Sequence, residues 1–95
     1  MIDVPERVAY TQLAEECTEL AHAALKLGRK ADPEQSFAMA ECDKQKWLDN
    51  LNEEIADVLV CMDVVIMKYQ GKDALDKIGE IRKQKLERWE ARLKR

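Results

Sequence analysis

Six acids in two short segments are the residues of this chain best suited to chemistry. LAEECTEL, residues 13–20, holds Glu15, Glu16 and Glu19, and LNEEIADV, residues 51–58, holds Glu53, Glu54 and Asp57 at the same spacing 38 positions later. Carboxylates three residues apart share one face of a helix. Two such faces brought together concentrate like charge, and each carboxylate then disfavours ionisation of its neighbours wherever water is partly excluded. A cation resolves that conflict. An all-oxygen donor set suits a hard divalent ion, Mg²⁺ or Mn²⁺, better than zinc or copper, which favour imidazole and thiolate. Mg²⁺ completes its shell with waters and substrate phosphates, so the pattern points to a phosphorylated ligand.

The elements that must position these acids read as helices throughout. Pro5 suits a first helical position, and periodic apolar residues predict a first helix over residues 5–29. Asp32 and Pro33 predict a short second helix within the connection that follows. A third spans residues 44–69 and stops at Gly71, and a fourth runs from Asp73 almost to the last residue. No alternating apolar segment predicts a strand. The expected fold is therefore all-α, a single domain over residues 1–95 with three long helices and one short one bundled together.

At about 100° per residue with Leu13 at zero, Ala9, Leu13, Cys17, Leu20, Ala21, Ala24 and Leu27 form a stripe from about 320° to 80°. Glu16 falls at about 300°, Glu19 at about 240° and Glu15 at about 200°, facing away. With Leu51 at zero, Leu48, Ile55, Val58, Leu59, Met62, Val65, Ile66 and Tyr69 form the stripe of the third helix, with Glu54 again at about 300° and Asp57 at about 240°. Antiparallel packing of the two stripes gathers Glu16, Glu19, Glu54 and Asp57 along one margin. A single E-E-x-x-E run is commonly just a solvated helix face; the repeat at matched angles is what argues for a site.

EECTE followed by EIAD resembles the E-E-x-x-E and E-x-x-D signature of the MazG-like all-α nucleoside triphosphate pyrophosphohydrolases. The likeness extends from Leu13 to the closing KLERWEARL. It implies hydrolysis of a nucleoside triphosphate to the monophosphate and pyrophosphate, with Glu16, Glu19, Glu54 and Asp57 as magnesium ligands. It also implies that the leading acids Glu15 and Glu53 assist catalysis from behind those ligands. KLERW is similar to the family's K-x-x-R-aromatic tail, which implies that Lys85 and Arg88 bind phosphate. The connection between Glu19 and Glu54 is longer than in compact members, and its extra segment can shape a base pocket.

Other residues carry weaker expectations. Arg82 and Lys85 fall inside the apolar arc of the last helix, where a base needs a partner, and Lys85 and Arg88 either reach phosphate or snorkel to salt bridges with the acidic helices. Lys26, Arg29 and Lys30 read as favourable charges at a helix carboxyl end. Trp47 and Phe37 read as core residues before they read as a stacking surface for a nucleobase. Cys17, Cys42 and Cys61, odd in number and without a C-x-x-C pair, read as small buried hydrophobes.

Composition sets the frame. A chain of 95 residues buries only roughly 60–65% of its extended surface and is marginal alone. Residues 58–67 are apolar nearly all round apart from Asp63, so a homodimer or homotetramer centred on this helix is expected, with Asp63 read first as an interhelical or intersubunit hydrogen-bond partner and only then as a substrate-binding residue. Net charge of −3 and the absence of a basic face argue against nucleic acid. No apolar run reaches the roughly 20 residues of a membrane span, and no secretory signal is visible, so a cytoplasmic location is expected. Two rivals stand beside the hydrolase reading. A carboxylate di-iron bundle needs two Glu-x-x-His steps, and Glu19–His22 is the only one. A non-catalytic helical dimer acting as an interaction module explains the apolar helix equally well, but not the matched acids.

Overall fold

The computed structural model describes residues 3–31 and 41–94. It contains α1 (Glu6–Ala31), α2 (Glu41–Val64), a π-helical turn (Val65–Gln70) and α3 (Lys72–Leu93), with no strand among the described residues. The expected short helix, with Pro33 and Phe37, lies outside the described residues, as does the side chain of Cys42. Pro5 precedes α1 as its spacing demands, and its carbonyl accepts from the amide of Ala9 at 3.0 Å.

α1 and α2 pack antiparallel. Ala9 near the start of α1 meets Val64 at the far end of α2 and Val65 just beyond it, whereas Lys26 and Lys30 near the end of α1 meet Trp47 near the start of α2. The contact is rotated from the predicted stripe. Ala9, Ala23 and Val58 are buried and Leu13, Leu20 and Leu51 partly so, but Cys17, Ala21 and Ala24 of α1 and Ile55, Leu59 and Met62 of α2 are exposed. The seam thus runs near 310° on each wheel, which draws Glu16 and Glu54 into it rather than leaving them on its edge. Small residues make this close approach possible: Ala9 and Ala23 on α1 present no bulk to the partner helix. The uncovered half of each stripe lies near 40°, and antiparallel packing turns both halves to the same side of the pair, away from the acids.

The end of α2 widens into a π turn at Val65, within the β-branched run Val64-Val65-Ile66, whose crowding disfavours regular helix. All three of those residues are buried. Tyr69 follows, donating its hydroxyl to the carbonyl of Val4, while its ring lies 6.2 Å from that of Tyr10. Lys68 adds an ion pair with Asp3 at 2.6 Å. Together they pin the segment before α1 to the end of α2.

Gly71 ends the turn where the sequence placed the stop, at φ 96° and ψ 178°, a backbone region that glycine alone occupies without strain. It redirects the chain so that α3 packs on the π turn and on neither α1 nor α2. The expected bundle therefore closes only in part: no residue of α3 is buried, and Leu75, Ile78, Ile81, Leu86, Trp89 and Leu93 are exposed. The radius of gyration is 17.0 Å, against about 12 Å for a compact chain of this length.

Gly71→Ala is expected to destabilise the fold by about 1–3 kcal/mol through backbone strain alone, since open space surrounds the position. Gly79→Ala, in the exposed interior of α3, is expected to raise stability by about 0.5–1 kcal/mol. Urea denaturation of both variants checks the opposite signs.

Candidate metal centre

The α1–α2 seam brings together three of the four acids proposed as ligands. Glu16 and Glu19 of α1 and Glu54 of α2 each offer an oxygen, all within 4.8 Å of one another. Glu16 and Glu54 are half-buried and Glu19 is exposed. Asp57 is exposed and outside that close group, yet near enough for its charge to act on Glu54 and on the Cys61 thiol.

The decisive detail is atomic. Oε2 of Glu16 and Oε2 of Glu54 are buried and accept no hydrogen bond. The other oxygen of Glu16 does have a donor, Nε2 of Gln12 at 2.8 Å, one helical turn back on α1. A buried carboxylate oxygen without a donor is costly, and neutralisation or a cation relieves it. Glu54 responds accordingly: burial, then the charges of Glu19, Asp57 and Glu16, push its pKa above the ordinary glutamate range, and Glu19 can share its proton. The donor set is all oxygen and two of its atoms lack partners, so these residues fit a hard divalent cation.

Glu15 and Glu53 are exposed and lie outside the close group. Glu15 lines a shallow hollow with Arg7, Thr11 and Gln12 on the outer surface of α1. Lys85 and Arg88 sit on α3, which does not reach the acidic helices within one chain. They border a hollow with Trp89 and Arg92 that is the open side of a single helix.

Several neighbours of the acids were not evident from the sequence. Lys26 and Lys30 do not simply end α1: their ammonium groups lie 4.7 Å and 5.5 Å from the centroid of Trp47, close enough for cation–π attraction. His22, Lys26 and Asn50 share with Glu19 a hollow of about 270 Å³. Cys17 is exposed and Cys61 half-buried, which corrects the expectation of buried cysteines. Burial, then Glu16, Asp57 and Cys17, push the Cys61 thiol up, so it stays protonated at neutral pH. Asp63 is exposed. The Gln12–Glu16 contact was not read from the sequence either, although its four-residue step could have shown it, since i and i+4 side chains meet on a helix.

Against known proteins, no family model, curated protein or solved structure matches the chain.

Glu54 holds a proton more tightly folded than unfolded. The folded state thus binds more protons than the unfolded one above the ordinary glutamate value of 4.5, and stability falls as pH rises through that window. Without divalent cation, the wild-type melting temperature is expected to drop more steeply with pH than that of Glu54→Gln. Thermal melts in chelator from pH 4 to pH 8 check this (the range is about that in which carboxylates and histidine titrate); parallel curves would contradict it.

Proposed function

We propose that the chain is a magnesium-dependent nucleoside triphosphate pyrophosphohydrolase, converting a ribo- or deoxyribonucleoside triphosphate and water to the monophosphate and pyrophosphate. The observation that carries the reading is the pair of donorless carboxylate oxygens, Glu16 Oε2 and Glu54 Oε2, buried in a seam between two helices with repeated acids. The resemblance of EECTE and EIAD to the MazG-like signature supports it from the sequence side. Glu16, Glu19, Glu54 and Asp57 would hold Mg²⁺, or Mn²⁺ in its place. When bound, the cation supplies charge neutralisation for the triphosphate oxygens.

The chain's own residues do the rest. Two antiparallel helices fix the carboxylates before substrate arrives, so little reorganisation accompanies charge development. Gln12 holds Glu16 in one orientation through its 2.8 Å hydrogen bond. Burial, then the charges of Glu19, Asp57 and Glu16, disfavour the ionised form of Glu54, a cost that positive charge in the seam would lower. Glu15 and Glu53, adjacent in sequence to the ligands, are proposed to direct water. Lys85 and Arg88 are proposed to meet phosphate only when another copy of the chain supplies them, since α3 stands away from its own acids.

That assembly is part of the reading. Only Ala9, Ala23, Val58, Val64, Val65 and Ile66 are buried among the described residues. The exposed faces left on α2, at Ile55, Leu59 and Met62, and on α3 are apolar and belong to the same chain. A homodimer, or a homotetramer built from it, buries both kinds of surface by two-fold repetition. The non-catalytic interaction module would use the same surfaces, but it leaves the buried carboxylates unexplained. Among the described residues no helix is long and apolar enough to cross a membrane.

Two experiments test this. In a panel of nucleoside triphosphates with Mg²⁺, pyrophosphate and monophosphate are the expected products. Glu54→Gln is expected to cost at least the roughly 10–100-fold that loss of a ligand's supporting partner costs elsewhere. Orthophosphate alone, or no turnover, would contradict the assignment. Leu59→Glu, outside the acidic seam, is expected to shift the mass measured by light scattering from dimer or tetramer to monomer.

A further inference from the structure

The acidic seam has chemically different ends. On the Glu19 side lie His22, Lys26 and Asn50 around the hollow of about 270 Å³, with Lys26 also over Trp47. On the Glu16 side lies a pocket of about 120 Å³ walled by Val4, Val8, Val60 and Val64, with Gln12 and Cys61 lining it as well. Gln12 joins this pocket to the acids, because its amide both lines the cavity and donates to Glu16. Cys61 joins it from α2, lying in the field of Glu16 and Asp57 while keeping its thiol neutral. Val8 and Val60 are 39% and 52% exposed, so the mouth of the pocket is open.

We infer that the nucleotide lies along the seam in one direction, with its phosphate tail towards His22 and Lys26 and its base in the valine-walled pocket. The inference rests on the hydrolase reading and deepens it by assigning which end of the substrate goes where. Charge and solvation decide the polarity. The terminal phosphates carry most of the substrate's negative charge and seek Lys26, whereas the valine walls offer no donor to an anion and reward the burial of a flat ring. A volume of about 120 Å³ compares with the roughly 150 Å³ cavity that accepts one benzene ring. The acids occupy the middle, where the phosphoanhydride must lie.

The test uses a base-free probe. Val60→Trp fills the pocket from α2, and Val8→Trp fills it from α1; both positions are exposed enough to accept the larger side chain. Each variant is expected to raise KM for the preferred nucleoside triphosphate at least about tenfold. Neither is expected to change the inhibition constant of inorganic tripolyphosphate, which has no base. Lys26→Met is expected to weaken both ligands. Unchanged KM in both tryptophan variants, or an equal loss of tripolyphosphate binding in them, overturns the orientation, as does a Lys26→Met variant that binds both ligands normally. A wild-type chain that turns over no nucleotide overturns the hydrolase reading itself, so the two failures are distinguishable.

Discussion

Two helices that bury carboxylate oxygens between them must provide a proton, a cation or a donor for each oxygen, and here the polypeptide provides only part of that. Gln12 satisfies one oxygen of Glu16, while Oε2 of Glu16 and of Glu54 have nothing. Apolar side chains of similar shape at these positions would pack the seam without electrostatic cost. The α1–α2 contact instead tolerates an arrangement in which Glu54 resists ionisation. Such stored cost makes sense where a positive ligand removes it. A ligand that neutralised these carboxylates would favour the folded helix pair over the unfolded chain.

The rest of the structure serves that contact. Alanines at positions 9 and 23 let the helices approach, and the π turn with Tyr69 and Lys68 clamps the amino-terminal segment against the end of α2. Gly71 then sends α3 outward instead of letting it fold back. The consequence is a thin core and a large exposed apolar surface. One side of the helix pair carries carboxylates between a cationic end and a valine-walled pocket, and the other side leaves Ile55, Leu59 and Met62 exposed.

The helices and the stop at Gly71 were legible because their signals are local: apolar period, a proline at the first turn, a glycine where φ becomes positive. The convergence of Glu16, Glu19 and Glu54 was legible because the same spacing occurs twice. The rotation of the seam was not. The stripe from 320° to 80° is wide enough to serve two contacts, and sequence alone does not say that α1 and α2 use one half and leave Cys17, Ala21, Leu59 and Met62 uncovered. The outward course of α3 was hidden for the same reason, because an amphipathic helix reads alike whether its partner is its own chain or another. The meeting of Lys26 and Lys30 with Trp47 joins positions about twenty residues apart across the helix pair and leaves no periodic trace.

We propose that the seam binds a hard divalent cation through these carboxylates. Titration of the protein into Mn²⁺, followed by loss of the free-ion electron paramagnetic resonance signal, measures that directly. Saturable, stoichiometric uptake is expected that competes with Mg²⁺ and disappears when Glu16 and Glu54 are both replaced by glutamine in a chain that still folds. Mn²⁺ left free in the presence of the wild-type protein, or held equally well by the double variant, would contradict it.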